Sequence, residues 1–330
     1  MDELATRWSV DVLGDYHGAR VWTAPASDWV HTTTGWGTGY ASIALLSIDV
    51  ATGEQTGMIR TRSREVTALT LAGGDLLAAT DKRLWTLDPR TLEERHQQDV
   101  RMQWPSMIIA TDDVVVLANW VKSGMLFVDR HTGESTKRRT PPQGSLGFID
   151  GEWRLHSAWE RGYGIVDLAG RKVIKGADCD PVFAIHADVE HGRAWARSVA
   201  GPDPRSGVTQ LPGEVLTHLP PDDTAVWVSA DTPFVVVDGA REELWTAEAT
   251  YQEDMRSHTS VVRCLSGTDG DVRGEWFVPG FVADLDLRTA SVISLDVPSS
   301  PRTDGRPSHR VVCFDLPQDG GTGDEASAPA

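Results

Sequence analysis

A carboxylate placed between an indole and a guanidinium is the arrangement in this chain best suited to chemistry, and Trp159-Glu160-Arg161 supplies it. An indole desolvates a neighbouring carboxyl and raises its pKa, while a guanidinium favours the charged form and restrains that rise, so Glu160 is the expected general acid or base. Glu65 and His258 are further candidates for proton transfer. Around them, Trp36, Tyr40, Trp104, Trp120, Trp159, Trp245 and Tyr251 offer faces on which a flat ring stacks. Lys122 and Arg161 are placed to hold a carboxylate, the planar Arg fork doing so best. The ligand these residues describe is an aromatic small molecule bearing a carboxylate. The same residue types also anchor protein partners, because Trp and Arg dominate interface hot spots.

Motifs of other chemistries are missing. The chain has no Ser-His-Asp order, HExxH, Walker loop or paired Gly motif for dinucleotides. Thr34–Gly39 is Gly-rich but has no following helix to hold a phosphate. Only His186 and His191 are closely spaced among the histidines, and Cys179, Cys264 and Cys313 are scattered, so neither a metal site nor a disulfide framework is expected. The cysteines read as small buried hydrophobes.

A repeated unit must position these residues. An apolar run ending in Asp and followed by a short polar or Gly turn recurs at Asp49, Asp88, Asp129 and Asp167, about 40 residues apart, the spacing of propeller blades. Weaker copies lie around Gln210, Gly267 and Asp315. Each copy reads as the third and fourth strands of a blade, with two short β-like runs ahead of it. Helix-period stretches are almost absent. The copy at Asp315 lacks a fourth strand, which the N-terminal run TRWSVDVLG can supply. The expected fold is therefore all-β: a seven-bladed β-propeller over residues 1–317, closed by pairing of its N- and C-terminal strands, with 318–330 as a disordered acidic, small-residue tail.

In this strand order the links from strand two to three and from strand four to the next strand one share one rim, where the candidate residues are expected. Arg241–Ser260 breaks the regular spacing and reads as a long two-to-three loop, a lid over the mouth, carrying Arg241, Glu242, Glu243, Trp245 and Tyr251.

The segments Asp49–Glu54 and Asp129–Glu134, both Asp-x-x-Thr-Gly-Glu after an apolar run, carry a resemblance to quinoprotein-like and WD40-like β-propellers that extends over nearly the whole chain. The Trp-Asp dipeptide of WD40 blades and the vicinal cysteines of many quinoprotein dehydrogenases are both missing, so no cofactor is expected. In architecture the chain also resembles strictosidine-synthase-type propeller enzymes. That likeness implies a cofactor-independent cyclase of Pictet–Spengler type, or a lyase, of specialised metabolism. A scaffold that binds proteins through its Trp/Arg rim is the other reading.

Composition limits the partners. A net charge of −17 and a pI near 4.9 repel phosphate backbones and anionic membranes, so nucleic acid and membranes are not expected as partners. Residues 1–20 show no basic stretch followed by an apolar run, and no window reaches the roughly 18 apolar residues of a membrane span. A cytoplasmic location is expected.

Overall fold

The computed structural model describes residues 2–14, 19–23, 27–34, 44–61, 65–80, 82–100, 102, 105–119, 124–140, 145–149, 151–156, 162–177, 182–188, 193–198, 214–216, 225–228, 234–251, 258–298 and 308–317. For 145, 149, 182–188, 193–198, 214–216, 225–228, 234–235, 250–251 and 258 the description is of the backbone only.

Two strands open the chain, β1 (Asp2–Glu3) and β2 (Thr6–Leu13). A first sheet follows, of β3 (Val21–Thr23), β4 (Trp29–Thr33), β5 (Ala44–Asp49) and β6 (Gln55–Arg60). The second holds β7 (Ala68–Ala72), β8 (Asp75–Ala79), β9 (Arg83–Leu87) and β10 (Glu94–Asp99), and the third β11 (Met107–Ala110), β12 (Val114–Ala118), β13 (Met125–Asp129) and β14 (Ser135–Arg138). The fourth holds β15 (Ser145–Ile149), β16 (Glu152–His156), β17 (Tyr163–Asp167) and β18 (Lys172–Lys175). The fifth holds β19 (Val182–Asp188), β20 (Arg193–Ser198), β21 (Glu214–Leu216) and β22 (Ala225–Val228). In the sixth, β23 (Phe234–Asp238), β24 (Glu243–Tyr251), β25 (His258–Ser266) and β26 (Val272–Pro279) are joined by β1, parallel to β26. The seventh combines β27 (Phe281–Asp286), β28 (Ser291–Asp296) and β29 (Ser308–Asp315) with β2, which pairs antiparallel with β29.

The architecture is all-β and propeller-like, and none of the described residues is helical. First strands pack on first strands of neighbouring sheets, as β7 on β11, β15 on β19, β19 on β23 and β27 on β3, which places them innermost. Middle strands have apolar side chains on both faces because a sheet lies on either side. Val114–Ala118 is buried throughout, and Leu45, Ile48, Phe127 and Met125 are fully buried. The outermost strands β10 and β14 are mostly exposed and polar, which discourages edge-to-edge pairing with other chains.

The Asp-x-x-Thr-Gly repeat closes the turn from third to fourth strand by local hydrogen bonds. Asp49 Oδ1 accepts the amides of Ala51 and Thr52 and the Thr52 hydroxyl, and Thr52 Oγ1 accepts the Glu54 amide. Asp129 repeats the bonds with His131 and Thr132. Gly53 and Gly133 sit at φ +75° and +74°, where glycine has no Cβ penalty. At the equivalent position after Asp88, Leu92 takes φ +58° and is buried.

These turns also join sheets. The Pro89 carbonyl accepts from His31 Nε2 and Ser47 Oγ of the first sheet, each at 2.8 Å. The Arg90 carbonyl accepts the Thr56 hydroxyl, and a Cβ on Gly57 would lie 2.5 Å from the Thr91 carbonyl carbon. Trp8 of β2 lies against Gly53 and donates Nε1 to the Val50 carbonyl at 2.8 Å, tying the seventh sheet to the first.

Candidate functional site

By the antiparallel strand order, links from second to third strands and links between sheets leave their strands at the same end, the rim. Among the sequence candidates, Glu65 is described there, in the link from β6 to β7. Its Oε1 accepts from Arg20 Nε at 2.8 Å, and its side chain is 12% exposed against 50% for Arg20. Arg20 lies in the link from β2 to β3, so the pair bridges two neighbouring links at the rim. Buried threonines hold the bases of two links: Thr33 Oγ1 accepts the Arg20 amide, and Thr140 Oγ1 accepts the Gly124 amide. Arg83, another rim cation, donates to Gln97 Oε1 at 2.7 Å, an oxygen that also accepts from Trp85 Nε1.

The sixth sheet departs from the sequence expectation. Arg241–Ser260 is for the most part strand, not a long loop. β24 and β25 pair over nine residues each, from Glu243↔Ser266 to Tyr251↔His258, leaving 252–257 between them. Thr, Val and aromatic residues along both strands favour this pairing over a loop. The pairing puts Tyr251 and His258 directly opposite each other near the hairpin tip.

Trp245 lies at the other end of β24. It is 2% exposed, stacks on Trp276 with centroids 5.5 Å apart, and donates Nε1 to Glu243 Oε2 at 3.3 Å. Its indole is covered by the core between the sixth and seventh sheets, so it does not line the rim. Arg241, Glu242 and Glu243 likewise belong to the turn from β23 to β24, at the end opposite the rim. Glu243 is buried and paired with Arg273 at 3.4 Å. The physical reason is register: with Asp238 opposite Glu243, the chain has already turned back into a strand before Trp245. Trp36, Tyr40, Trp104, Trp120, Lys122, Trp159, Glu160 and Arg161 lie outside the described residues.

His31 and His309 are fully buried within β4 and β29. Burial lowers the His31 pKa to about 4, partly offset by its hydrogen bond to the Pro89 carbonyl, and burial with the Arg154 charge lowers His156 to about 4. His156 stacks on Tyr163 at 4.9 Å.

One perturbed group was not among the sequence candidates. Asp284, on the innermost strand of the seventh sheet, accepts the Thr23 amide, the Thr23 hydroxyl at 2.6 Å and the Leu285 amide at 2.8 Å. Burial raises its pKa to about 6 against these bonds. The available signal was an Asp inside the apolar run Phe281–Leu285. Among the described residues no group of three or more His, Cys, Asp and Glu is placed to hold a metal ion, and no helix is long and apolar enough to cross a membrane.

The chain is similar in structure to the WD40 domain of Neurospora crassa Pan2, with TM-score 0.59 at 9% identity over 97% of this chain and 98% of that one. It is also similar to the Cps50 (Swd1) β-propeller domain of Myceliophteria thermophila, with TM-score 0.58 at 10% identity over 94% and 100% of the two chains. BamB from Moraxella catarrhalis aligns with TM-score 0.50 at 12% identity over 94% and 91%. The chain thus resembles WD40 and quinoprotein-like β-propellers in fold. No protein-family model and no curated protein sequence matches it.

Proposed function

We propose that this chain is a protein-binding propeller whose recognition surface is the rim around the β24–β25 hairpin. The observation carrying this reading is the length of that hairpin. β24 and β25 pair over nine residues each, through Tyr251↔His258, whereas the middle strands of the first four sheets are five or six residues long, an excess of at least three residues or roughly 10 Å. A ribbon standing on a rigid scaffold offers backbone and side chains to a large partner.

The finer architecture proposed with it is a closed ring of seven blades over residues 1–317. Core clusters shared by the sixth and seventh, seventh and first, first and second, second and third, and third and fourth sheets support that ring. So do the contacts of β15 with β19 and of β19 with β23.

The test compares wild type with a variant in which 249–260 is replaced by Asn-Gly, a two-residue turn that suits the Glu248↔Val261 pair. Chemical crosslinking in extract is expected to capture a partner with wild type and lose it with the variant, at an unchanged melting temperature. A different result would return the small-molecule reading: saturable quenching of tryptophan by an aromatic carboxylate, with turnover lost in Glu160→Gln. That outcome would make the protein a cofactor-independent cyclase or lyase.

A further inference from the structure

Along the first three sheets the rim carries a charge opposite to that of the molecule. Arg60, the last residue of β6, lies opposite Ala44, and Arg138, the last of β14, lies opposite Met125, so both stand where links from second to third strands leave the sheet. Lys82 lies in such a link of the second sheet, and Lys137 and Arg139 flank Arg138. All five are exposed, and none has an ion pair among the described residues. Arg138 Nε donates to the Arg171 carbonyl, which leaves its charge uncompensated. The carboxylates described at this end of the three sheets are Glu65 and Asp99, and each already faces its own cation, Arg20 at 2.8 Å and Arg83 at 3.8 Å.

Counted along the sequence, the rim links of these sheets, from 14–20 to 139–144, hold seven Lys and Arg against three Asp and Glu, so the residues outside the described set do not reverse the sign. The turns at the opposite end hold two against seven. The field of these three sheets therefore directs an anionic group to the rim. Core clusters stack the first sheet on the second and the second on the third. Stacked sheets lie about 10 Å apart, so the cations recur over roughly 20 Å, the length of about six extended residues. The net charge of −17 repels a long polyanion such as nucleic acid, or an anionic bilayer, because most of its charge lies beyond this arc. A short acidic segment keeps all its charge within the screening length of the rim, about 8–10 Å.

We propose that the rim of the first three sheets is a second interaction surface, which takes an extended acidic segment of a partner protein along Arg60, Lys82, Lys137, Arg138 and Arg139. The arginine forks receive its carboxylates. This surface stands apart from the β24–β25 hairpin of the sixth sheet and does not depend on that reading.

The test uses the full chain with three fluorescein-labelled probes: alternating Glu-Ser and Lys-Ser decapeptides and a DNA duplex of about 30 base pairs. Fluorescence anisotropy at an ionic strength of about 0.1 M is expected to show Glu-Ser bound at least about tenfold tighter than either other probe, a gap of about 1.4 kcal/mol. Arg60→Glu and Arg139→Glu, in the first and third sheets, are each expected to weaken Glu-Ser about tenfold at an unchanged melting temperature. Arg90→Glu makes the same change in net charge at an exposed residue of the opposite end, and is expected to leave Glu-Ser binding within about twofold of wild type. Equal losses in the Arg90 and Arg139 variants, or no preference of Glu-Ser over Lys-Ser, overturn the proposal. A duplex bound as tightly as Glu-Ser overturns it in favour of nucleic acid. Replacing 249–260 by Asn-Gly is expected to leave Glu-Ser binding unchanged. Loss of binding there would move the site to the hairpin, overturning this surface while supporting the other.

Discussion

At the residue scale, the groups whose chemistry departs most from the ordinary lie where sheets meet. Asp284 bonds a residue 261 positions away in sequence, Thr23, and burial holds its pKa near 6. A carboxyl whose pKa is higher folded than unfolded contributes stability that is fully present below pH 3.8 and is lost as pH rises through 6. Asp284→Asn is therefore expected to gain on wild type by about 1–3 kcal/mol as urea unfolding is moved from pH 4 to pH 7. A difference that stays constant across that range would show that Asp284 carries no such strain. Trp8 is 8% exposed and hydrogen-bonded to Val50, so Trp8→Ala is expected to cost about 3–5 kcal/mol in the same assay.

At the scale of elements, the turn between third and fourth strands both closes its own hairpin and packs on the sheet before it. Gly57 shows how tight that contact is, because its missing Cβ leaves room for the backbone of Arg90 and Thr91. Gly57→Ala is expected to destabilise by about 1–3 kcal/mol through overpacking against backbone that cannot yield. Gly74→Ala, at φ +77° with nothing within 4 Å of the new Cβ, is expected to cost only about 1 kcal/mol, from backbone strain alone. Thermal unfolding of the two variants distinguishes packing from strain. The elements were largely legible in the sequence, since Asp49, Asp88 and Asp129 head turns whose bonds span three residues. Arg241–Ser260 reads as a loop because the other copies have short second and third strands, and nothing local states that these two continue for nine residues.

At the scale of the whole molecule, two neutral imidazoles enclosed by the fold, His31 and His156, weaken it in acid. Their pKa values are lower folded than unfolded, so the stability they contribute is present above pH 6.5 and lost as pH falls toward 4. Between pH 7 and pH 5 each is expected to remove about 2 kcal/mol, while Asp284 returns about 1 kcal/mol, a net loss that urea midpoints at the two pH values measure. A histidine C2–H NMR titration in which both rings protonate near pH 6.5 would contradict the burial of these side chains. The all-β class, the Asp-headed turns and the N-terminal strand that pairs with β29 are legible in the sequence alone. Each of these rests on alternation or on hydrogen bonds within a few residues. That Trp245 is core, that Asp284 meets Thr23 and that β24 and β25 continue for nine residues each follow from the tertiary structure. Burial and pairing register depend on which sheet lies alongside, and the neighbour is set by chain hundreds of residues distant or by strand lengths that no local pattern encodes.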